Sequence, residues 1–138
     1  MTINKFSGEY AFLSNFYPCK FEFENFPYFN SEQAFQASKT TNTNDKRKIR
    51  EAKDPGEAKR LGRKIKLRPD WESVKLKIME EILTEKFKNP ELKRRLLNTG
   101  NEELIEGNTW GDTFWGIYNN RGQNWLGKLL MQVREKLR

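Results

Sequence analysis

Between Pro69 and the Asn89–Pro90 pair, apolar residues return at helical period: Trp71, Val74, Ile78 and Ile82 on one stripe, with Met79 and Leu83 one ridge over. Such a stripe folds only against a partner surface that buries it. One long amphipathic helix at the centre of the chain therefore commits the protein to a packed, largely helical core. The 138 residues suffice for one such core, and no repeat or low-complexity linker interrupts them. A single continuous domain over residues 1–138 is expected.

Local signals place the other elements around that helix. Phe21 and Phe23 alternate with charged residues, and Glu24-Asn25-Phe26-Pro27 turns the chain into Tyr28-Phe29-Asn30, which reads as a hairpin. A helix begins near Ser31, capped by Asn30 or Ser31, and runs to about Thr40. A second, very basic helix is expected over roughly Asp45 to Lys53. Asp54-Pro55-Gly56-Glu57 combines an N-cap Asp, a Pro at the first helical position and a Glu three residues on, so a third helix starts there and carries Ala58, Leu61 and Ile65. After the long helix, a short one with Leu92, Leu96 and Leu97 ends at Thr99-Gly100. Leu104 to Asn108 and Phe114 to Tyr118 read as short strands around a loop over 109–113, and Asn119-Asn120-Arg121-Gly122 as a turn. Asn124 caps a last helix that buries Leu126, Leu129, Leu130, Val133 and Leu137. The expected fold class is α+β, mainly helical, with a small antiparallel sheet contributed by both ends of the chain.

Composition narrows the chemistry. There is no His, which removes Ser-His-Asp and Cys-His catalysis and any His-ligated metal. Cys19 is alone, so neither an internal disulfide nor a multi-cysteine metal site can form, and a small buried hydrophobe is its ordinary reading. No metal and no cofactor are expected. No apolar run approaches the roughly 20 residues of a membrane span, and the first residues lack a signal-peptide core; a cytoplasmic, membrane-free setting is expected. The net charge of +7 is concentrated: Lys39 to Arg68 holds twelve Lys/Arg against four Asp/Glu. Such a block suits phosphates, nucleotides or nucleic acid, although a solvated helix face has the same composition.

Two segments carry groups able to do chemistry. On the first helix Glu32, Gln36 and Lys39 stand at i, i+4 and i+7, so a carboxylate, an amide and an amine share one face. Glu32 and Lys39 are roughly 10 Å apart along the axis, the scale of a sugar-sized ligand. The helix macrodipole favours Glu in a first turn and Lys in a last turn anyway, so spacing leaves a purely structural role open. The second segment is Glu106 to Gly116, where Trp110, Asp112 and Trp115 lie among Gly residues. Its two Trp rings could sandwich a heterocycle while Asp112 reaches a sugar; equally, the segment could close the core as an aromatic hairpin with Asp112 in a turn hydrogen bond. Asn15 and Phe16 precede Tyr17-Pro18 in a loop. Lys59, Arg63 and Arg68 could clamp a phosphate, with plain solvation as the alternative.

Taken together, these blocks resemble the YbiA-like, or NADAR, family almost end to end. The resemblance rests on Phe12-Leu13-Ser14-Asn15-Phe16-Tyr17-Pro18, on Ser31-Glu32-Gln33-Ala34-Phe35-Gln36-Ala37 with Lys39, and on Ala58-Lys59-Arg60-Leu61-Gly62-Arg63. It continues in Arg68-Pro69-Asp70-Trp71, Leu97-Asn98-Thr99-Gly100, Trp110-Gly111-Asp112-Thr113-Phe114-Trp115-Gly116 and Asn124-Trp125-Leu126-Gly127-Lys128-Leu129-Leu130-Met131. One departure is Gln33, where many members have His, so the function of that His must be dispensable or be met by the Gln amide.

The resemblance implies a YbiA-like fold and cleavage of an N-glycosidic bond between ribose C1 and an exocyclic amine. Two substrate groups are known in the family: phosphoribosylamino-pyrimidine intermediates of riboflavin synthesis, which release ribose 5-phosphate, and ADP-ribose attached to guanine, including on nucleic acid. By the same resemblance Glu32, Lys39 and Asp112 are the expected catalytic residues. Asn15, Phe16, Gln36, Lys59, Arg68, Trp110, Trp115 and Asn124 are the expected substrate contacts. Either Lys39 attacks C1 as a Schiff-base nucleophile or water attacks an oxocarbenium-like centre with a carboxylate as base. Glu32, near a helix N-terminus, should stay ionised and so serve as base or electrostatic stabiliser. A non-catalytic ADP-ribose or RNA-binding module is the competing reading.

Overall fold

The computed structural model describes residues 1–138. In chain order it contains β1 (Thr2–Ile3), a 3-10 helix (Gly8–Leu13), β2 (Phe21–Phe23), β3 (Phe26–Tyr28), α1 (Ser31–Ala37), α2 (Thr43–Arg50), α3 (Pro55–Gly62), α4 (Trp71–Lys86), α5 (Pro90–Asn98), β4 (Glu103–Leu104) and α6 (Trp125–Leu137). The fold is α+β and mainly helical, as expected. Its residues group into two units: one is continuous, Asn15–Lys86, and the other joins Met1–Ser14 to Phe87–Arg138.

Side-chain caps set four of the helix starts. Asn30, Asn42, Asp54 and Asn89 each accept the backbone N–H three residues on, at 2.7, 3.0, 2.8 and 3.1 Å. Glu57 answers Asp54 by accepting the backbone N–H of Lys53 at 3.0 Å, which makes a reciprocal cap at α3. Because Asn42 caps α2, that helix spans Thr43–Arg50 rather than 45–53. α1 stops at Ala37, short of Thr40, and Ile65 lies beyond the end of α3.

In the continuous unit, β2 and β3 form the antiparallel hairpin, pairing Phe21 with Tyr28 and Phe23 with Phe26. Its turn is Glu24-Asn25, with φ of 51° and 71°, the doubly left-handed turn that suits the twist of a two-residue hairpin. Phe21, Phe23 and Tyr28 are buried. α1 packs on α2, α3 and α4, and β2 packs on α4. Ala34, Ala37 and Ala58 are fully buried, so small side chains let these short helices approach. The Phe35 and Trp71 rings meet with centroids 5.0 Å apart. On α4 the deeply buried side is Trp71, Met79, Ile82, Leu83 and Lys86, while Val74 and Ile78 flank it half-buried.

The discontinuous unit closes through β1 and β4, which pair Thr2 with Glu103 and Ile3 with Leu104. This pair is parallel, so the expected antiparallel sheet between the chain's two ends is corrected; the antiparallel sheet is the local hairpin. Phe12 packs edge-on against Phe87 at 6.5 Å, with the Arg95 guanidinium 4.5 Å from the Phe12 centroid. α5 packs on α6, which buries Leu126, Leu129, Leu130 and Val133. Residues 114–118 do not form a strand. Only isolated bridges occur, Gly107 with Ile117 and Tyr118 with Arg121. Asp112 accounts for this: its Oδ1 accepts the N–H groups of Phe114 and Trp115, which a continuous ladder would need.

Candidate functional site

Of the face expected on the first helix, Glu32 and Gln36 stand one turn apart on α1, while Lys39 lies just past its end. Gln36 donates from Nε2 to Glu32 Oε2 at 2.6 Å, one turn away along the helix. Gln36 is buried, and its other amide atom, Oε1, takes no hydrogen bond from the protein. A carboxylate held by a buried amide is fixed in one rotamer, which is what a group that handles protons at a defined atom requires. The backbone also anchors this carboxylate: the N–H of Glu32 donates to the carbonyl of Asn15 at 3.0 Å. Asn15 thus sits against the start of α1, and its Oδ1 is a second buried acceptor without a protein donor. Phe16, next in the chain, is 45% exposed.

Lys39 follows α1 with its Nζ 5.9 Å from the centroid of the Phe35 ring. Burial pushes its ammonium below the ordinary lysine range. The Glu32 carboxylate opposes that shift, while Arg63, Lys59 and Lys75 reinforce it. Lys39, Lys59, Arg63 and Lys75, with Glu32 among them and Glu72 bonded to Lys75 at 2.7 Å, make a local field that favours an anion and weakens the hold of Lys39 on its proton. The carbonyl of Lys39 accepts the backbone N–H of Arg68 at 2.7 Å, bringing the start of the α4 segment to the end of α1. The Arg68 guanidinium is itself paired with Asp70, at 2.6 and 3.1 Å. A phosphate reaching Arg68 competes with that carboxylate, whereas Lys59 and Arg63 are in no such pair with a carboxylate.

The aromatic loop in the discontinuous unit is held by Asn108. Its Nδ2 donates to the Asp112 carbonyl at 2.9 Å and to Glu106 Oε2 at 3.0 Å, and its Oδ1 accepts the Asp112 N–H at 3.0 Å. Asp112 Oδ1 is engaged in the turn described above. Trp115 packs at right angles to Phe114, centroids 4.9 Å apart, while Trp110 is 63% exposed. Asn124 departs from the capping role expected of it. It has a left-handed φ of 54° and makes no side-chain cap. Instead Nδ2 donates to the Leu104 carbonyl at 2.9 Å and Oδ1 accepts the Glu106 N–H at 3.0 Å, so its amide holds the end of β4 and the residues that follow it.

Three residues of interest escaped the sequence analysis as site candidates. Lys75 lies one turn after Trp71, beside the apolar stripe of α4, and that register was its only signal. Gly62 faces Gln36, a contact set by helix packing that spacing cannot reveal. Glu106, inside the segment singled out for its Trp and Asp, accepts from Asn108 and lies against Gly116, where a Cβ would overlap its carboxylate.

The model of the NADAR domain family matches residues 3–138. N-glycosidase YbiA of Escherichia coli K12 is 39% identical over 137 residues, which are 95% of this chain and 84% of that protein. The riboflavin biosynthesis protein VVA0006 of Vibrio vulnificus is 38% identical over 132 residues; the match takes in 93% of this chain but spans only 36% of that longer protein. The NMR structure of E. coli YbiA matches with a TM-score of 0.88 at 35% identity, covering 99% of this chain and 83% of that one. With the family model matching residues 3–138 and E. coli YbiA matching nearly the whole chain in sequence and in fold, the chain belongs to the NADAR domain family.

Proposed function

We propose that this chain, an N-glycosidase, cleaves the bond between ribose C1 and an exocyclic amine in a phosphoribosylamino-pyrimidine and releases ribose 5-phosphate. The observation that carries this reading is Lys39: an amine with a lowered proton affinity, next to a fixed carboxylate and among further cations. A glycosylamine opens to an imine when its ring oxygen is protonated. The unprotonated Lys39 Nζ then adds to C1, the exocyclic nitrogen takes up a proton and leaves as the free heterocyclic amine, and a Lys39–C1 Schiff base remains. Water adds to C1 and expels Lys39, which completes hydrolysis. Glu32 carries protons between these atoms and stabilises the positive charge of the iminium. Lys59 and Arg63 offer their charge to the 5-phosphate, and Lys75 does so in competition with Glu72. The names of relatives, N-glycosidase YbiA and riboflavin biosynthesis protein VVA0006, support this choice of bond and substrate.

The test is turnover of phosphoribosylamino-pyrimidines with and without borohydride. Release of free pyrimidine, with a reduced ribosyl adduct on Lys39, is the expected result. Turnover without any adduct would replace the Schiff base by direct attack of water, and no release of pyrimidine would overturn the substrate assignment.

One observation favours ADP-ribosyl-guanine on nucleic acid as a second reading. Arg47 and Lys48 of α2 are exposed, and Arg50 stacks 3.8 Å over the half-exposed Phe26 ring, a surface suited to a polyanion with bases. Faster release of ADP-ribose from a modified oligonucleotide than from the modified mononucleotide would select it.

A further inference from the structure

Gly62, at the end of α3, lies directly against the side chain of Gln36. A Cβ at position 62 would overlap Gln36 Oε1 outright, come within 2.7 Å of its Cδ and stand 3.2 Å from its Cβ. The three atoms nearest that position all belong to Gln36, so the missing side chain is matched first to Gln36. Gln36 in turn holds Glu32 Oε2 at 2.6 Å and keeps Oε1 buried without a donor from the protein. We infer that Gly62 is a positioning residue: its bare Cα seats the Gln36 amide so that Nε2 fixes Glu32 while Oε1 is left to accept a hydrogen bond from a hydroxyl of the ribosyl substrate.

The chemistry follows from the geometry. A buried amide oxygen with no partner costs free energy until a donor arrives, so it rewards a ligand that brings a hydroxyl. Turning the amide away releases both interactions together. The outright overlap is with the far end of a flexible side chain, and the 3.2 Å approach to Gln36 Cβ asks α1 to give by only a few tenths of an ångström, so Ala at position 62 chiefly displaces the Gln36 amide. The consequence is therefore local to Glu32 and the acceptor, and the assignment of substrate hydroxyls rests on the glycosidase reading above.

The experiment compares Gly62→Ala, Gln36→Ala and the double variant in the full chain. Each is followed by thermal melting, by kcat and KM, and by NMR titration of the Glu32 carboxyl. Gly62→Ala is expected to fold with a near wild-type melting point, to lose about 10- to 100-fold in kcat through misplacement of the carboxylate, and to raise the Glu32 titration midpoint. In the Gln36→Ala background, adding Gly62→Ala should change neither kcat nor the midpoint further. Losses that multiply, full activity of Gly62→Ala, or its failure to fold would each overturn the inference. If wild-type protein releases no heterocycle, the glycosidase reading falls, and the NMR titrations still decide whether Gly62 positions Glu32 through Gln36.

Discussion

Gln33 donates to the carbonyl of Arg50 at 2.8 Å, and this bond ties the start of α1 to the end of α2. The same side chain donates to the Ile49 carbonyl at 3.1 Å and accepts the Phe29 N–H at 2.8 Å, so one buried amide joins a hairpin end and two helices. Gln33→Leu removes the side-chain partner of the Phe29 N–H and the Arg50 carbonyl, while the Ile49 carbonyl keeps the Ala52 N–H. A loss of about 3 kcal/mol in stability is expected from urea denaturation, with kcat of the folded protein nearly unchanged because Gln33 faces away from chemistry.

Lys86 gives a pH dependence with a definite sign. It is fully buried, and desolvation brings its pKa from 10.5 to about 8. Between those values the unfolded chain binds a proton that the folded chain does not, so stability rises with pH through this window and falls as pH drops toward 8. Cys19 acts in the opposite sense above pH 9, because burial raises its thiol pKa and the folded chain keeps the proton longer. Measured between pH 7.5 and 9, wild type should gain about 1 kcal/mol more than Lys86→Met does. Parallel stability curves for the two proteins would contradict this account.

Asp112 can be separated into its turn and its chemistry. Asn retains an Oδ1 able to accept the Phe114 and Trp115 N–H groups, whereas Ala does not. Asp112→Asn should therefore melt like wild type, and Asp112→Ala should lose about 2 kcal/mol. If the carboxylate also takes part in hydrolysis, Asp112→Asn loses about 100-fold or more in kcat; if it only shapes the loop, kcat is retained.

Asn124 is in the left-handed region with both amide ends bonded to backbone. Asn124→Ala and Asn124→Gly both remove these bonds, but only Ala keeps a Cβ in that conformation, without the local hydrogen bonds that let Asn tolerate it. Chemical denaturation should place Ala about 1 kcal/mol below Gly, with Gly itself well below wild type.

Exposed Trp110 and packed Trp115 should respond differently to truncation. Trp110→Ala is expected to leave the melting point within a degree or two and to raise KM if the ring contacts substrate. Trp115→Ala removes the ring against Phe114 and should cost about 2 kcal/mol or more in stability. Melting curves and initial rates on the same preparations distinguish the two.

Much of this architecture was legible because short-range chemistry encodes it. The caps at Asn30, Asp54 and Asn89, the stripe of α4 and the turn at Asn119-Asn120 are local signals, and each appears where the sequence places it. Extended segments were harder to read. A parallel pair between residues 2–3 and 103–104 leaves no local trace, and residues 114–118 look β-like only until Asp112 claims their N–H groups. The spacing of Glu32 and Gln36 was visible, but the lowered proton affinity of Lys39 depends first on its burial and then on the charges of Arg63, Lys59 and Lys75, which only the tertiary fold brings near. Gly62 was legible only as a glycine; its meaning comes from the side chain it makes room for.

The parallel pairing of Thr2 with Glu103 also dictates an order of assembly. The segments it joins are separated by roughly 100 residues, and closing a chain loop of that length costs about 4 kcal/mol before any contact compensates. The continuous unit is built from Asn15–Lys86 alone and leaves the ribosome before Phe87–Arg138 does. The first fourteen residues must wait through its synthesis for partners that lie after Phe87. During translation the α1 face can be built while Ile3 and Leu13 are still exposed, so the chain's opening residues are the last to find their place.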